Sequence, residues 1–215
     1  MMALRLHAFW RSGASWRTRI ALNLKGLSYE TVAVNIVSGE QNSDAFLKLN
    51  PLGLVPALET EDGVIVESPA IIEWLEERYP DPPLLPTGRA DRAAVRAMAN
   101  IINCDMQPLS NLRVLRALRA RFKADEDQVR DWTHAWMIPG FDALETLTAR
   151  HGGAFSFGDT PGLVDCSLIP QMGFARRSLV PLDAWPRLCA IEQRLLALPA
   201  IINADPALQP GAPAA

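Results

Sequence analysis

The chain has 215 residues, of which 49% are hydrophobic and 21% are charged. This length predicts one large domain or two small ones, and the composition excludes collagen-like, coiled-coil and disordered classes. The 21 basic and 24 acidic residues leave a formal net charge of −3. We therefore expect no nucleic-acid or anionic-membrane partner, because such partners usually require a large basic excess.

The N-terminus and the cysteines indicate the compartment in which the protein works. The first residues lack the apolar core of a signal peptide, and no run approaches about 18 apolar residues. We therefore expect a cytoplasmic protein without a membrane span. The three cysteines, Cys104, Cys166 and Cys189, form no C-x-x-C motif and no Cys/His cluster at ligand spacing. This spacing predicts neither a disulfide framework nor a metal site.

Alternating and helical patterns follow one another in the first 80 residues. Apolar and polar residues alternate in four segments, as in strands, and the residues between them favour turns or helices. The order β-α-β-α-β-β-α predicts a thioredoxin-like domain. The predicted strands are 4–9, 29–36, 54–58 and 64–66, and the predicted helices end at Gly26, span 44–49 and begin at Ser68.

The rest of the chain is predicted to be helical. Four prolines between residues 80 and 86 cannot continue a helix and indicate a linker. Helical periodicity then returns in several segments, and closely spaced prolines predict an extended tail at 199–215. We expect a thioredoxin-like domain at 1–80, a Pro-rich linker at 81–88 and an all-helical domain at 89–215. The predicted helices are 92–122, 129–147 with an interruption at Pro139-Gly140, 164–174 and 186–198.

The turn after the first strand is the first candidate site. In a thioredoxin-like domain this turn lies at the positive end of the first helix, where backbone N–H groups stabilise a thiolate. A thiol-disulfide enzyme needs C-x-x-C there, but this chain has Ser12-Gly13-Ala14-Ser15. The hydroxyls either cap the helix or donate a hydrogen bond to the sulfur of a thiol ligand.

Two further segments carry weaker signals. Pro56 interrupts a strand-like run, so the Val55-Pro56 bond is expected at an edge, at a bulge or in the cis form, and a cis bond would leave the Val55 backbone open to an extended peptide. Glu67 and Ser68 precede a helix, where a hydroxyl and N–H groups can hold a carboxylate while Glu67 pairs with an amine. For Ser68 alone, a plain helix cap is an alternative.

Taken together, the segments 9–26, 49–58 and 67–77 resemble the zeta-class glutathione transferases. The similarity continues through 107–112 and 157–159 to Gln171, and the run 10–13 is most similar to the bacterial maleylpyruvate and maleylacetoacetate isomerases of that class. The resemblance implies a glutathione-binding thioredoxin-like domain, an all-helical second domain and a homodimer. It also implies glutathione-dependent cis-trans isomerisation of a maleyl-type dicarboxylate in aromatic-compound catabolism.

The resemblance also assigns roles to individual residues. Ser12 would contact the glutathione sulfur, while Arg11 and Arg177 complete the catalytic set by binding substrate carboxylates. Val55, with a cis bond to Pro56, would pair with the cysteinyl backbone. The remaining assignments are Glu67 with Ser68 for the γ-glutamyl end, Gln41 for the glycyl end, and Gln107 and Asn111 beside the two arginines for the second substrate.

The chain departs from the family pattern at two places. Gly13 and Ala14 replace the usual Ser-Cys, and Gly162 stands where the family tends to have the Thr of a capping box with Asp165. Isomerisation remains compatible, because its nucleophile is the glutathione sulfur, and glycine is a tolerable N-cap. A conjugating or dehalogenating transferase and a non-catalytic glutathione-binding protein remain as alternatives. Both maleyl compounds remain open as substrates.

Overall fold

The computed structural model describes residues 3–213, which divide into two compact units. The first unit contains residues 3–84 and 196–213, and the second contains residues 85–195. Between residues 3 and 213, no helix combines the length and the apolar character that crossing a bilayer requires.

The first unit contains four strands, β1 (Leu4–Ala8), β2 (Tyr29–Ala33), β3 (Ala57–Thr60) and β4 (Gly63–Val66), which form a sheet in the order β2-β1-β3-β4. β1 pairs with β2 in parallel and with β3 antiparallel, and β3 pairs with β4 antiparallel. This arrangement confirms the predicted thioredoxin-like domain, although β2 is shorter than expected. The helices of this unit that precede residue 84 are α1 (Gly13–Leu24), α2 (Asp44–Leu49) and α3 (Ser68–Arg78).

Helix α1 is enclosed to an unusual degree. Every residue from 15 to 22 is buried, including Arg17 and Arg19. The helix ends as predicted, because Gly26 adopts a left-handed φ of 66° and its N–H bonds to the Asn23 carbonyl. A helix buried along its length has to find partners for its polar side chains within the protein.

The second unit is helical, as predicted, but the long segment 92–122 is not one helix. Residues Ile101–Met106 form a π-turn, and Pro108, which has no N–H to donate, begins a 3₁₀ turn at Pro108–Ser110. Asn111 then caps the next helix by accepting the Val114 N–H at 3.1 Å. The helices are α4 (Arg89–Asn100), α5 (Leu112–Phe122), α6 (Glu126–His151), α7 (Leu163–Arg177) and α8 (Pro186–Leu196).

The predicted interruption at Pro139-Gly140 is wrong, because α6 continues through both residues. Pro139 lies on the exposed side, while Met137 and Phe141 on either side of it are fully buried. At Gly140 a Cβ would lie 2.4 Å from the Met106 sulfur, so only glycine permits this close packing. Tertiary packing thus outweighs the local cost of the proline.

The predicted extended tail is also only partly correct. Residues Pro199–Ile202 form a short helix, α9, and Pro206–Leu208 form a 3₁₀ turn, each beginning with a proline at a position that needs no N–H. Asn23 of α1 donates a hydrogen bond to the Ala200 carbonyl at 2.9 Å. For this reason residues 196–213 group with the first unit, whereas the sequence analysis places them in the helical domain.

Candidate functional site

The sheet topology brings three of the predicted segments to one end of the first unit. β1 runs towards the turn before α1, and His7 of β1 pairs with Ala57 at the start of β3. Ala57 also pairs with Val66 at the end of β4. The β1–α1 turn, the residues before β3 and the residues after β4 therefore lie side by side.

Ser12 is held at the start of α1 by three hydrogen bonds. Its Oγ accepts the Ser15 N–H at 3.3 Å, its N–H donates to the Phe9 carbonyl at 3.1 Å, and its carbonyl accepts the Trp16 N–H at 2.8 Å. Because Oγ is an acceptor in the cap, its own proton remains available to a ligand. The half-buried hydroxyl and the positive helix end together suit a thiolate.

The loop before β3 presents unpaired backbone groups. The Val55-Pro56 peptide bond is cis, as predicted. The buried side chain of Asn50 holds the loop by donating to the Leu54 carbonyl at 2.7 Å and accepting the Leu52 N–H at 3.0 Å. Within residues 3–213, the N–H and C=O of Val55 make no hydrogen bond. They are therefore available to the backbone of an extended peptide.

Gln41 lies beside this loop. Gly53 adopts a φ of 64°, and a Cβ there would be 3.2 Å from the Gln41 carbonyl oxygen, so the two segments are in close contact. The Gln41 side-chain oxygen is buried and has no hydrogen-bond partner in the described part of the chain. An unpaired buried oxygen is costly, which indicates that a ligand donor completes it.

The segment after β4 has a strained backbone. Glu67 adopts a φ of 65°, a conformation that costs a non-glycine residue about 1–3 kcal/mol and is found mainly at functional sites. Its carboxylate is exposed, and it forms no ion pair within residues 3–213. Ser68 is buried as the first residue of α3. This arrangement offers a carboxylate to an amine and a helix N-terminus to a carboxylate.

A cavity of about 250 Å³ opens beside the β1–α1 turn. Phe9, Trp10 and Arg11 line one side, the end of β2 and the residues after it line another, and Pro210 and Gly211 complete the wall. Arg11 is exposed, with its guanidinium 5.1 Å from the centre of the Trp10 ring. The cavity thus combines apolar walls with one cation.

The three predicted residues of the second unit lie at helix ends. Gln107 precedes the 3₁₀ turn and is half-buried, and Asn111 uses its Oδ1 as the cap of α5, which leaves its amide N–H groups for other partners. Arg177 is exposed at the end of α7, with its guanidinium 5.7 Å from the Phe174 ring centre. Each carries donors for an anionic group.

Arg19 is a site-related residue that the sequence analysis missed. Its Nη2 donates to the Trp10 carbonyl at 2.9 Å, and burial lowers the pKa of its guanidinium to about 10. The sequence pattern that could have indicated this role is the pair Arg17 and Arg19 within a helix whose neighbouring positions are mostly apolar.

Residues 3–213 contain no group of three or more His, Cys, Asp or Glu side chains that could hold a metal ion.

Comparisons with known proteins agree with this geometry. Residues 6–83 match the family model of the glutathione S-transferase N-terminal domain. A maleylpyruvate isomerase of Ralstonia sp is 50% identical over 209 residues, which are 96% of this chain and 99% of that protein.

Two solved structures are also similar. The holo structure of a zeta-class maleylpyruvate isomerase has a TM-score of 0.94 and 49% identity, covering 97% of this chain and 100% of that one. A maleylacetoacetate isomerase of Anaeromyxobacter dehalogenans, solved with bound dicarboxyethyl glutathione and citrate, has a TM-score of 0.89 and 42% identity, covering 99% of this chain and 98% of that one.

Proposed function

Because the chain belongs to the zeta-class glutathione transferase family, we propose that it is a glutathione-dependent isomerase converting a maleyl-type cis-dicarboxylate into its trans isomer. The observation that carries the proposal is the hydroxyl of Ser12 at the start of α1, where a thiol-disulfide enzyme has cysteine. The site is built to hold a sulfur that arrives with a ligand.

The described residues fit glutathione along its whole length. Ser12 would hold the sulfur, and the unpaired backbone of Val55, next to Pro56, would pair with the cysteinyl backbone. Glu67 would bind the amine and Ser68 the carboxylate of the γ-glutamyl end, and the glycyl N–H would donate to the unpartnered oxygen of Gln41. Each ligand group thereby meets a protein group of opposite polarity.

The chemistry that bound glutathione supplies is a thiolate for reversible addition to the cis double bond, which permits rotation before the sulfur is released unchanged. The Ser12 hydroxyl stabilises the thiolate by donating a hydrogen bond to it, and the N-terminus of α1 adds its positive dipole. Arg11 and Arg177 bind the substrate carboxylates and offset the negative charge that develops on the substrate during addition. Gln107 and Asn111 donate further hydrogen bonds to the substrate.

Product analysis tests this function. The purified protein is given maleylpyruvate or maleylacetoacetate with a catalytic amount of glutathione, and the trans product and remaining glutathione are quantified. An isomerase forms product in excess of glutathione and consumes none. Stoichiometric loss of glutathione, or halide release from a small haloacid, would instead indicate the transferase. Binding of glutathione without either reaction would indicate a non-catalytic protein.

We extend the proposal to the organisation of the protein. Residues 1–80 would bind glutathione, 81–88 would link the domains, and 89–215 would supply Gln107, Asn111 and Arg177 to the second substrate. A homodimer is the assembly that the family membership favours, and sedimentation equilibrium measures it. A cytoplasmic location agrees with the use of glutathione and with three cysteines that form no disulfide with one another.

A further inference from the structure

We propose that Arg19 is a positioning residue that ties the Trp10-Arg11 main chain to the C-terminal segment, defined as residues 196–213. Its Nη2 donates to the Trp10 carbonyl at 2.9 Å, and its Nε donates to the Ala204 carbonyl at 3.2 Å. The inference deepens the proposed function, since it rests on Arg11 as a contact of the second substrate.

Burying the charged side chain of Arg19 in α1 costs free energy. Its side chain is fully buried, its Nη1 has no hydrogen-bond partner within residues 3–213, and the bonds that it does make go to uncharged carbonyls. Burial opposes the charged guanidinium more strongly than the carboxylate of Asp205 favours it. An apolar residue of similar volume would often be as stable at such a position. The contacts that Arg19 makes are therefore the better explanation for it.

The β1–α1 turn is held in two independent parts. Ser12 is fixed by its own three hydrogen bonds to Phe9, Ser15 and Trp16. The carbonyl of Trp10, in contrast, accepts a hydrogen bond only from Arg19 within residues 3–213. Loss of Arg19 should thus release Trp10 and Arg11 while Ser12 keeps its position.

Arg19 bonds one wall of the cavity beside the turn and the segment that supplies the opposite wall. Trp10 and Arg11 form one wall, and Pro210 and Gly211 belong to the segment that Arg19 holds through Ala204. One rigid guanidinium therefore sets the spacing between the two walls. This spacing determines where Arg11 meets an anionic group on the second substrate.

The test separates recognition of the second substrate from recognition of glutathione. Calorimetry measures the Kd of glutathione and of dicarboxyethyl glutathione for the wild type and for Arg19→Met, and an absorbance titration measures the pKa of the bound glutathione thiol. We expect the Kd of dicarboxyethyl glutathione to rise about tenfold in the variant, because Arg11 is no longer held in place. The Kd of glutathione and the thiol pKa should remain close to the wild-type values.

Asn23→Ala is the matched control. Asn23 lies one turn beyond Arg19 and bonds the same C-terminal segment at Ala200, but its side-chain hydrogen bonds within residues 3–213 do not include the β1–α1 turn. We expect this variant to bind both ligands like the wild type. An equal rise in the Kd of dicarboxyethyl glutathione for Asn23→Ala would overturn the proposal, because general loosening of the segment would then suffice.

Arg19→Lys covers the case in which Arg19→Met does not fold. Lysine keeps the charge but loses the planar fork that spans two carbonyls, so we expect a smaller rise of about threefold. The role of Arg19 would be refuted if either folded variant bound both ligands with wild-type Kd values. It would also be refuted if the Kd values of both ligands rose by the same factor. Because binding is measured without turnover, a wild type that binds both ligands but does not isomerise would refute only the proposed function.

Discussion

At the scale of single residues, the chemistry depends on hydroxyl and guanidinium groups whose surroundings differ sharply. Ser12 and Ser15 lie one helical turn apart, but only Ser12 has a half-exposed hydroxyl in a hydrogen-bonded cap. The Ser15 hydroxyl is buried without a partner in the described chain. The two serines thus form a natural pair of test and control.

Ser12→Ala should raise the pKa of the bound glutathione thiol by about one to two pH units. The reason is the loss of a hydrogen bond to a charged group, which contributes about 1.5–3 kcal/mol. The loss of the helix cap should also lower the free energy of unfolding by about 1 kcal/mol. An absorbance titration of the thiolate measures the pKa. An unchanged pKa, or an equal rise in Ser15→Ala, would contradict the assignment of Ser12.

Arg11→Met and Arg177→Met should each lower kcat/KM for the dicarboxylate about tenfold to a hundredfold. A charge-assisted contact contributes about 1.5–3 kcal/mol, and the polar ends of glutathione have other partners in Gln41, Glu67 and Ser68. Steady-state kinetics and glutathione calorimetry measure the two effects separately. Arg121→Met, on the exposed end of α5, serves as the control. A matching loss of glutathione affinity would show that the arginines serve glutathione instead.

At the scale of elements, a buried ion pair joins the ends of α1 and α3. Lys25 Nζ donates to Glu76 at 2.7 Å and to the carbonyls of Tyr79 and Pro82 at 2.6 and 3.0 Å. Glu76 also accepts the Leu84 N–H at 2.9 Å. This ion pair therefore connects α1, α3 and the segment that follows α3.

Lys25→Met should lower the free energy of unfolding by about 3–5 kcal/mol, because it breaks the buried ion pair with Glu76 and removes the donor to the Tyr79 and Pro82 carbonyls. Urea unfolding measures the change. Arg78→Met removes the exposed pair of Arg78 with Glu61, which is screened by solvent, and should have a much smaller effect. Similar losses in the two variants would mean that burial of the Lys25 pair is unimportant.

Asp165 stabilises the start of α7 in a way that depends on pH. Its carboxylate accepts the Gly162 N–H at 2.8 Å and the Ser156 N–H at 3.1 Å, which compensates for the absence of a side-chain cap at Gly162. Burial raises the pKa of Asp165 despite these hydrogen bonds. Since the folded pKa lies above the unfolded one, protonation favours the folded state.

The contribution of Asp165 should therefore be fully present below its unfolded pKa of about 3.9 and lost as the pH rises through the folded pKa. We expect the free energy of unfolding of the wild type, relative to Asp165→Asn, to increase as the pH falls from 7 towards 4. Urea unfolding across this range measures the difference. A constant or decreasing difference would show that the two N–H donors outweigh the burial.

At the scale of the whole molecule, the chain returns to the first unit after its helical second unit. Ile201 and Ala204 are almost completely buried there, and Arg19 and Asn23 of α1 bond to the carbonyls of the same segment. Residues 196–213 are thus part of the framework around α1 and the candidate site.

A chain that ends at residue 195 should lose at least about 4 kcal/mol of unfolding free energy, because Ile201 no longer fills its site and buried Arg19 loses an acceptor. This loss corresponds to a Tm lower by about 8–16 °C. Thermal unfolding measures it, with a chain ending at Gly211 as the control. Equal Tm values for the two truncated chains would contradict a structural role for residues 196–211.

The sequence alone determined the thioredoxin-like order of strands and helices and the segments that form the site. Alternation and capping are local, so Ser12, Gly26 and Ser68 could be placed on their elements without a structure. The motifs around Val55-Pro56 and Glu67 also carried the family resemblance, and with it the cis peptide bond.

Only the tertiary structure decided how buried polar groups and long-range contacts are arranged. It carries α6 through Pro139, folds the C-terminal segment against α1 and buries Arg19 between the Trp10 and Ala204 carbonyls. The physical reason is that burial and hydrogen-bond partners come from residues distant in sequence, and Arg19 and Ala204 are 185 positions apart. No local pattern in the sequence contains that contact.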